Sequence, residues 1–391
     1  MKKYFHSFNF YAFSFSVLLY LLSSSINVKG AEWGLSYVEI GLINFGGSIF
    51  YVSVASTLGR IGDRIGFKKS LAIGMIAMAV FLNLGFFWKG VADITLFAFG
   101  MNLFFGFFFP SLEGLISKGE RREGIDPLMT VIRFVLSWSA GNIVGMALGP
   151  YLIQKMPQVV FIYGILLSVT SSVMIFISAK RCNESLPGPY SERLKRPMPQ
   201  ADFPRIKEYR RSYRLAFLLA GIIYTSGMAL FPKLISASGL PLEKIGFLTV
   251  GANVGVFLSF LFMSRFNFWI GNPGKTLMIM LVIFSATVLS FFMPQTAPVF
   301  FAVTFLCGVT YAVPYIFAIF YGLNSQDNDH GKQGGVHESM VGIIFGVGPL
   351  IGGYFLQVWP DLKSVGVMSL ILISMIFIDQ IHFIGKVKSN S

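Results

Sequence analysis

Gly59-Arg60-Ile61-Gly62-Asp63-Arg64-Ile65-Gly66-Phe67-Lys68-Lys69 lies between two long apolar runs, 37–58 and 71–88. A segment this rich in charge, flanked by runs of membrane length, reads as a tight turn at a bilayer surface. Its glycines permit a sharp reversal and close backbone approach. If 59–69 is a surface turn, its neighbours are membrane spans, and the rest of the chain is read from there.

Composition agrees. Hydrophobic residues make up 54% of the chain and charged residues 13%, too few to cover a water-soluble surface. Crossing the hydrocarbon takes roughly 20 apolar residues in a helix. By that measure the chain holds about twelve spans, at 8–28, 37–58, 70–88, 92–116, 128–154, 158–179, 214–236, 242–264, 276–294, 297–323, 339–358 and 364–385. The runs are continuous rather than alternating, so helices are expected and barrel strands are not. The first run follows Lys2 and Lys3 but has no small-x-small cleavage site, and is expected to remain as a helix.

The formal charge of +13 invites a nucleic-acid reading, but the positions of the bases do not support one. With both termini in the cytoplasm, the inner segments carry every lysine and arginine except Lys29, Lys89, Lys155, Lys233, Lys244, Lys363 and Arg133. That bias orients a protein in a plasma (inner) membrane and favours contact with anionic lipid. Cys182 and Cys307 fall too far apart to pair, and no metal-ligand spacing occurs. No phosphate-binding loop and no nucleophile–base pair points to an enzyme or a cofactor.

The chain also repeats. A unit over 1–180 and a unit over 214–391, each of about six spans, are joined by a basic, proline-rich linker at 181–213. An amphipathic surface helix is expected over 203–213. Gly34-Leu35 and Ile40-Gly41 before the second span echo Gly239-Leu240 and Ile245-Gly246 before the eighth. Gly149-Pro150 in the fifth span echoes Gly348-Pro349 in the eleventh. Paired six-helix bundles can rock about a site between them. Gly141, Gly145 and Gly149 recur at one helical spacing, as do Gly348 and Gly352 with Gly353 beside them. Such rows are smooth faces for close helix approach, expected here between the halves.

In the 59–69 segment, Gly59, Asp63, Arg64, Gly66 and Lys68 match the G-x-L-a-D-R-x-G-R-K loop of the major facilitator superfamily, which lies between its second and third spans. Ile61 is a mild departure, and Phe67 replaces a base. The chain resembles that family over nearly its whole length, in span count, linker position and the two Gly-Pro helices. The resemblance implies an all-α membrane protein of two pseudo-symmetric six-helix bundles around a central cavity. Spans one, four, seven and ten should line that cavity, and the 59–69 loop should act as a conformational switch. It also implies a latch from Asp63 to the start of the eleventh span. Gly145-x-x-x-Gly149-Pro150 is similar to the fifth-helix motif of family antiporters, but Ile153-Gln154 stand where that motif has Gly-Gly. Where many proton-coupled members carry an arginine four residues before a span-four glycine, Asn102 precedes Gly106.

Charges inside spans are costly and mark candidate sites. Glu113 at the inner end of span four and Arg133 near the start of span five are expected to form an ion pair or to couple protons. Glu338 is expected in the first turn of span eleven, where the helix dipole favours a carboxylate. Candidate cavity residues are Asn9, Tyr20, Asn102, Trp138, Asn142, Tyr224, Asn253, Tyr311 and Tyr315. Aromatic walls with a few amides and hydroxyls suit a neutral, amphipathic or cationic solute.

The expected function is secondary active transport of a small organic solute by a monomer among lipids, with proton-coupled efflux as one form. Import of a sugar-like nutrient and a non-transporting sensor or assembly role are the alternatives.

Overall fold

Each long apolar run becomes a helix, because in hydrocarbon only internal hydrogen bonds satisfy the backbone. The structure is a computed structural model that describes residues 2–123, 127–179, 206–266, 268–323 and 330–388. Its α-helices are α1 (Lys2–Glu32), α2 (Tyr37–Ile65), α3 (Phe67–Leu82), α4 (Val91–Glu123), α5 (Pro127–Lys155) and α6 (Pro157–Ala179), then α7 (Ile206–Ala237). They continue with α8 (Ile245–Thr249), α9 (Gly251–Met263), α10 (Pro273–Ser290), α11 (Ala297–Leu323), α12 (His330–Val358) and α13 (Leu362–Lys388). α8 and α9 together make one span, so 12 segments are long and apolar enough to cross a membrane. Among the described residues there is no strand.

Three boundaries differ from the sequence reading. The turn after the second span is narrower: α2 stays helical to Ile65 and α3 starts at Phe67. Gly66 alone makes the reversal, at φ 91°, a region that favours glycine. The expected surface helix over 203–213 is instead, from Ile206 on, the opening of α7. Tyr209 and Tyr213, one turn apart, are buried there and both pack on Tyr321 of α11 and Phe383 of α13. α12 begins at His330, so Glu338 stands two turns inside the helix rather than in its first turn.

The repeat is visible in the backbone. α1 ends with Gly34 at φ 77°, and α7 ends with Gly239 at φ 79°. Around the first turn Gly34 N–H donates to Ala31 O and Leu35 N–H to Gly30 O; around the second, Gly239 N–H donates to Ser236 O and Leu240 N–H to Ile235 O. Both are the same glycine-terminated helix end, satisfying otherwise orphaned carbonyls. After the first, Ser36 and Glu39 cap α2 reciprocally: Ser36 N–H donates to Glu39 Oε2 at 2.7 Å, and Glu39 N–H to Ser36 Oγ at 3.1 Å.

These two turns mark one end of the bundle, the far end; α6 stops and α7 starts at the opposite end. Helices α1–α6 pack on one another, as do α7–α13. Between the halves α2 crosses α12, α5 crosses α8 and α9, and α1 meets α7. The outer helices α3, α6, α10 and α13 expose Val80, Met174, Val282 and Ile378, apolar side chains suited to lipid.

The glycine rows divide differently from expectation. Gly141, Gly145 and Gly149 pack on α1 of their own half, where added Cβ atoms would lie 2.9 Å from Ser16 Cβ, 2.8 Å from Tyr20 Cβ and 3.2 Å from Leu21 O. Pro150 is buried in the same helix. Gly348 and Gly352 pack on α7 of their own half, against Ile222 O at 2.8 Å and Ser226 Cβ at 2.6 Å. Pro349 and Gly353 of the expected set face the other half. A Cβ on Gly41 would sit 2.6 Å from Pro349 O, and one on Gly353 2.6 Å from Tyr37 O. The repeat mate of Gly41 is Gly246, whose added Cβ would lie 2.7 Å from Met146 O. The reason is helical geometry: α5 and α12 each use one face inside their half and the opposite face across the interface.

The far end is closed around these crossings. Lys155 Nζ of α5 meets Glu243 Oε2, beside the start of α8, at 2.7 Å. Lys233 of α7 donates to Leu35 O and lies 5.2 Å from the Tyr37 ring centroid.

Leucine substitutions should separate the two kinds of glycine. Gly145→Leu overfills a contact inside one half and should lower the melting temperature, at a cost of about 1–3 kcal/mol. Gly41→Leu overfills the crossing and should widen the far end, read as a longer distance between spin labels at Lys155 and Glu243. An unchanged distance in Gly41→Leu would mean that this crossing does not hold the end shut.

Candidate functional site

Helical spacing places polar side chains toward a common centre. Ser16, Tyr20 and Ser23 lie on one face of α1, and Asn44, Ser48 and Tyr51 on one face of α2. With Asn102 and Glu113 of α4, Trp138 and Asn142 of α5, Tyr224 of α7, Tyr311 and Tyr315 of α11 and Glu338 of α12, they line a cavity between the halves. It holds about 1170 Å³ of empty space, its mouth included. No lysine, arginine or histidine is among the lining residues described.

Two polar groups bridge the halves in this cavity. Tyr20 and Tyr224 bring their hydroxyls to 3.1 Å, and Tyr224 also donates to Asn253 Oδ1 at 3.1 Å. Tyr224 has one proton to give, so Tyr20 is the donor to it. Tyr224 stacks on Tyr311, with centroids 4.5 Å apart and planes 15° from parallel. Trp138 meets Tyr315 edge-on at 6.1 Å across the interface.

The second bridge is acidic. Glu113 of α4 and Glu338 of α12 bring their carboxyl groups together in the cavity. Tyr51 of α2 donates to Glu338 Oε2 at 2.9 Å. Ionised carboxylates only accept, so the two can share a hydrogen bond only when one of them holds a proton. One turn further, Ser48 donates to Gly342 O. His337 is turned away, stacked on Phe217 at 5.1 Å and edge-on to Tyr315 at 4.8 Å.

Of the residues singled out from sequence, Tyr20, Asn102, Trp138, Asn142, Tyr224, Tyr311 and Tyr315 line the cavity, as do Glu113 and Glu338. Asn253 stands behind Tyr224, and Asn9 is not in the lining. Glu113 and Arg133 form no ion pair: Arg133 is exposed, and Glu113 faces the cavity beside Glu338. A long cationic side chain gains by keeping its head in a polar layer, which leaves the inward acid to find another partner. The Gly59, Asp63 and Arg64 side chains, and with them the expected latch, lie outside the described residues; Lys68 sits in the first turn of α3. Sequence reasoning missed Tyr51, Ser16, Ser23, Asn44 and Ser48. Their signal was the polar row at helical spacing within apolar runs.

A family model described as the Major Facilitator Superfamily matches residues 5–325. The chain belongs to the major facilitator superfamily. It is an integral membrane protein with the transporter fold of that family. No curated protein matches its sequence. Among solved structures it is similar to the nucleoside transporter NupG, at 14% identity and TM-score 0.66, covering 97% of this chain and 99% of that one. It is also similar to a bacterial homologue of the human lysosomal transporter Spinster in an inward-facing, unoccupied conformation, at 13% identity and TM-score 0.67, covering 97% and 98%. The same homologue, inward-facing and occupied, matches at 11% identity and TM-score 0.64, covering 98% of this chain and 97% of that one.

The tyrosine bridge should be asymmetric in its energetics. Tyr224→Phe leaves Asn253 Oδ1 without its donor in a buried position and should cost about 1–3 kcal/mol in chemical or thermal unfolding. Tyr20→Phe removes one donor but leaves the Tyr224–Asn253 bond, and should cost less. Equal losses would mean that Tyr20 rather than Asn253 is the main partner of Tyr224.

Proposed function

We propose that this protein is a secondary active transporter that moves a small organic solute by alternating access. The observation that carries the reading is the cavity itself. It lies between the two halves and is closed at the far end by contacts between them. Those contacts use repeat-related positions, Gly41 against α12 and Gly246 against α5. A bundle built this way can rock so that closure passes from one end to the other. With the basic segments and both termini placed in the cytoplasm, the far end is external and the conformation faces inward. The cavity's aromatic walls and scattered hydroxyls suit an organic solute, and the structural likeness to a nucleoside transporter is consistent with one.

The test fixes the far end shut. Solutes are first found by thermal stabilisation of the purified protein. Lys155→Cys with Glu243→Cys, in a chain with Cys182→Ser, is then joined by a short thiol-cleavable cross-linker in proteoliposomes. Flux of the stabilising solute should fall at least about tenfold, because one of two required states is removed, and should return on reduction. Undiminished flux through the cross-linked protein would exclude rocking about this cavity.

A further inference from the structure

The transport reading leaves open what kind of solute the cavity takes. Its charge is distinctive. Both ionisable acids in the lining, Glu113 and Glu338, stand together, and no basic side chain faces them among the lining residues described. The other titratable groups in the lining are all tyrosines: Tyr51 from α2, which donates to Glu338, Tyr315 and Tyr311 from α11, Tyr20 from α1 and Tyr224 from α7. Next to Glu338 on α12, His337 is packed on Phe217 and lies within electrostatic reach of Arg214 of α7. Arg133 of α5 is exposed and outside the cavity.

A second, independent feature points to a ligand. Asn142 is 2% exposed and lines the same cavity, yet its Oδ1 accepts no hydrogen bond. A buried acceptor without a donor is costly, and a bound N–H or O–H group would satisfy it. The same cavity is lined by the rings of Trp138, Tyr20, Tyr311 and Tyr315. Aromatic faces attract cations, most strongly where water is excluded.

We propose that the Glu113–Glu338 pair is a shared proton and cation site: the cavity takes an organic cation, whose arrival displaces the proton held between the two carboxyls. This deepens the transport reading by naming the solute class. In the empty state the pair holds one proton and one negative charge. When a monovalent cation enters, the O–H bond breaks, the proton leaves to water, and two carboxylates face the cation. Total charge is conserved, one cation being taken up for one proton released. Run through both conformations, the exchange is electroneutral, and an inward proton gradient would drive the cation out. An anionic solute would meet a negative pair with no counter-charge in the lining, which disfavours it strongly.

Calorimetry on the purified full-length protein tests the site without any flux measurement. Tetraphenylphosphonium is titrated in two buffers of different ionisation enthalpy, which reads the protons released per cation bound. About one proton should be released, and by linkage the apparent affinity should rise about tenfold per pH unit while the pair holds a single proton. Triphenylphosphine oxide, similar in shape but neutral, should bind more weakly and release none; tetraphenylborate should not bind. In Glu113→Gln and in Glu338→Gln an amide replaces the proton-sharing partner, so proton release should vanish and the pH dependence flatten. Elution profile and melting temperature show whether each variant is folded, and the wild-type proton count decides the matter if neither is. Tetraethylammonium covers a cavity too narrow for the larger probe. Failure of both cations to bind, or cation binding with no proton released and no pH dependence, would overturn the proposal. Equal affinity for cation and oxide would overturn it as well. Proton-releasing cation binding without flux would sink the transport reading and leave the site standing. Flux of a neutral solute without cation binding would do the reverse.

Discussion

Backbone meets backbone at two crossings, and the architecture depends on both. Gly41 lets α2 lie on Pro349 of α12, and Gly246 lets α8 lie on Met146 and Ala147 of α5. Apolar side chains gain little by meeting each other rather than lipid, so helices in a bilayer associate through close packing and a few polar contacts. Removing Cβ at a crossing is what permits that packing. The two crossings follow from one repeated element, Ile-Gly at the start of the second span of each half. Such an interface can open at one end and close at the other without disturbing either half, because each half keeps its own glycine contacts: α5 on α1, and α12 on α7.

The second constraint comes from polar groups held away from water. Ser226 Oγ donates to Ile222 O and Gly348 O at 2.7 and 2.6 Å, and Thr225 Oγ1 donates to Ile344 O at 2.8 Å, so hydroxyls fasten α7 to α12 within the second half. In the cavity the bonds run between the halves instead, Tyr20 to Tyr224 and Tyr51 to Glu338. The difference is one of permanence. A hydroxyl bonded to a backbone carbonyl inside one half is needed in every conformation. A bond from one half to the other must break when the halves separate, and its partners then need solute or water. Polar side chains that bridge the cavity therefore differ from those that fasten a single half, because their partners stand in the other half.

Most of the architecture was legible because it follows from period and charge. Helix spans read from runs of apolar residues lie within a few residues of most of those observed, and the repeat read from Gly34 and Gly239 recurs as the same backbone turn. Which helix each glycine row meets was not legible. Gly145 and Pro349 sit on similar Gly-Pro helices, yet one faces its own half and the other faces across. That choice depends on rotation of the helix about its axis, which spacing along one chain does not specify. The acid pair was hidden for a different reason. Glu113 and Glu338 are more than two hundred residues apart, and nothing near either announces the other. Arg133, close in sequence and opposite in charge, was the natural partner on paper. The cost of drawing its guanidinium inward is not written in the sequence interval. The polar rows of α1 and α2 could have been found, since serine, asparagine and tyrosine at one helical spacing mark a face that avoids lipid.

The crossing and Glu338 lie on one seam. Along α12 the residues that face α2 are Gly353, Pro349, Gly346, Gly342 and Glu338, separated by three or four positions. Along α2 their partners are Tyr37, Gly41, Ser48 and Tyr51. This is one continuous stripe on each helix, running from the far end to the acids. From Gly353 to Gly342 the stripe is glycine and proline, where small surfaces let the helices touch. At Glu338 it changes to a half-buried polar contact with Tyr51, beside Glu113 of α4. Two helices in contact along such a stripe behave as stiff bodies, so a change at one point of the seam bears on its whole length rather than on one side chain. Glu338 and the glycines of the crossing that closes the far end thus stand on one face of α12, the face turned to α2.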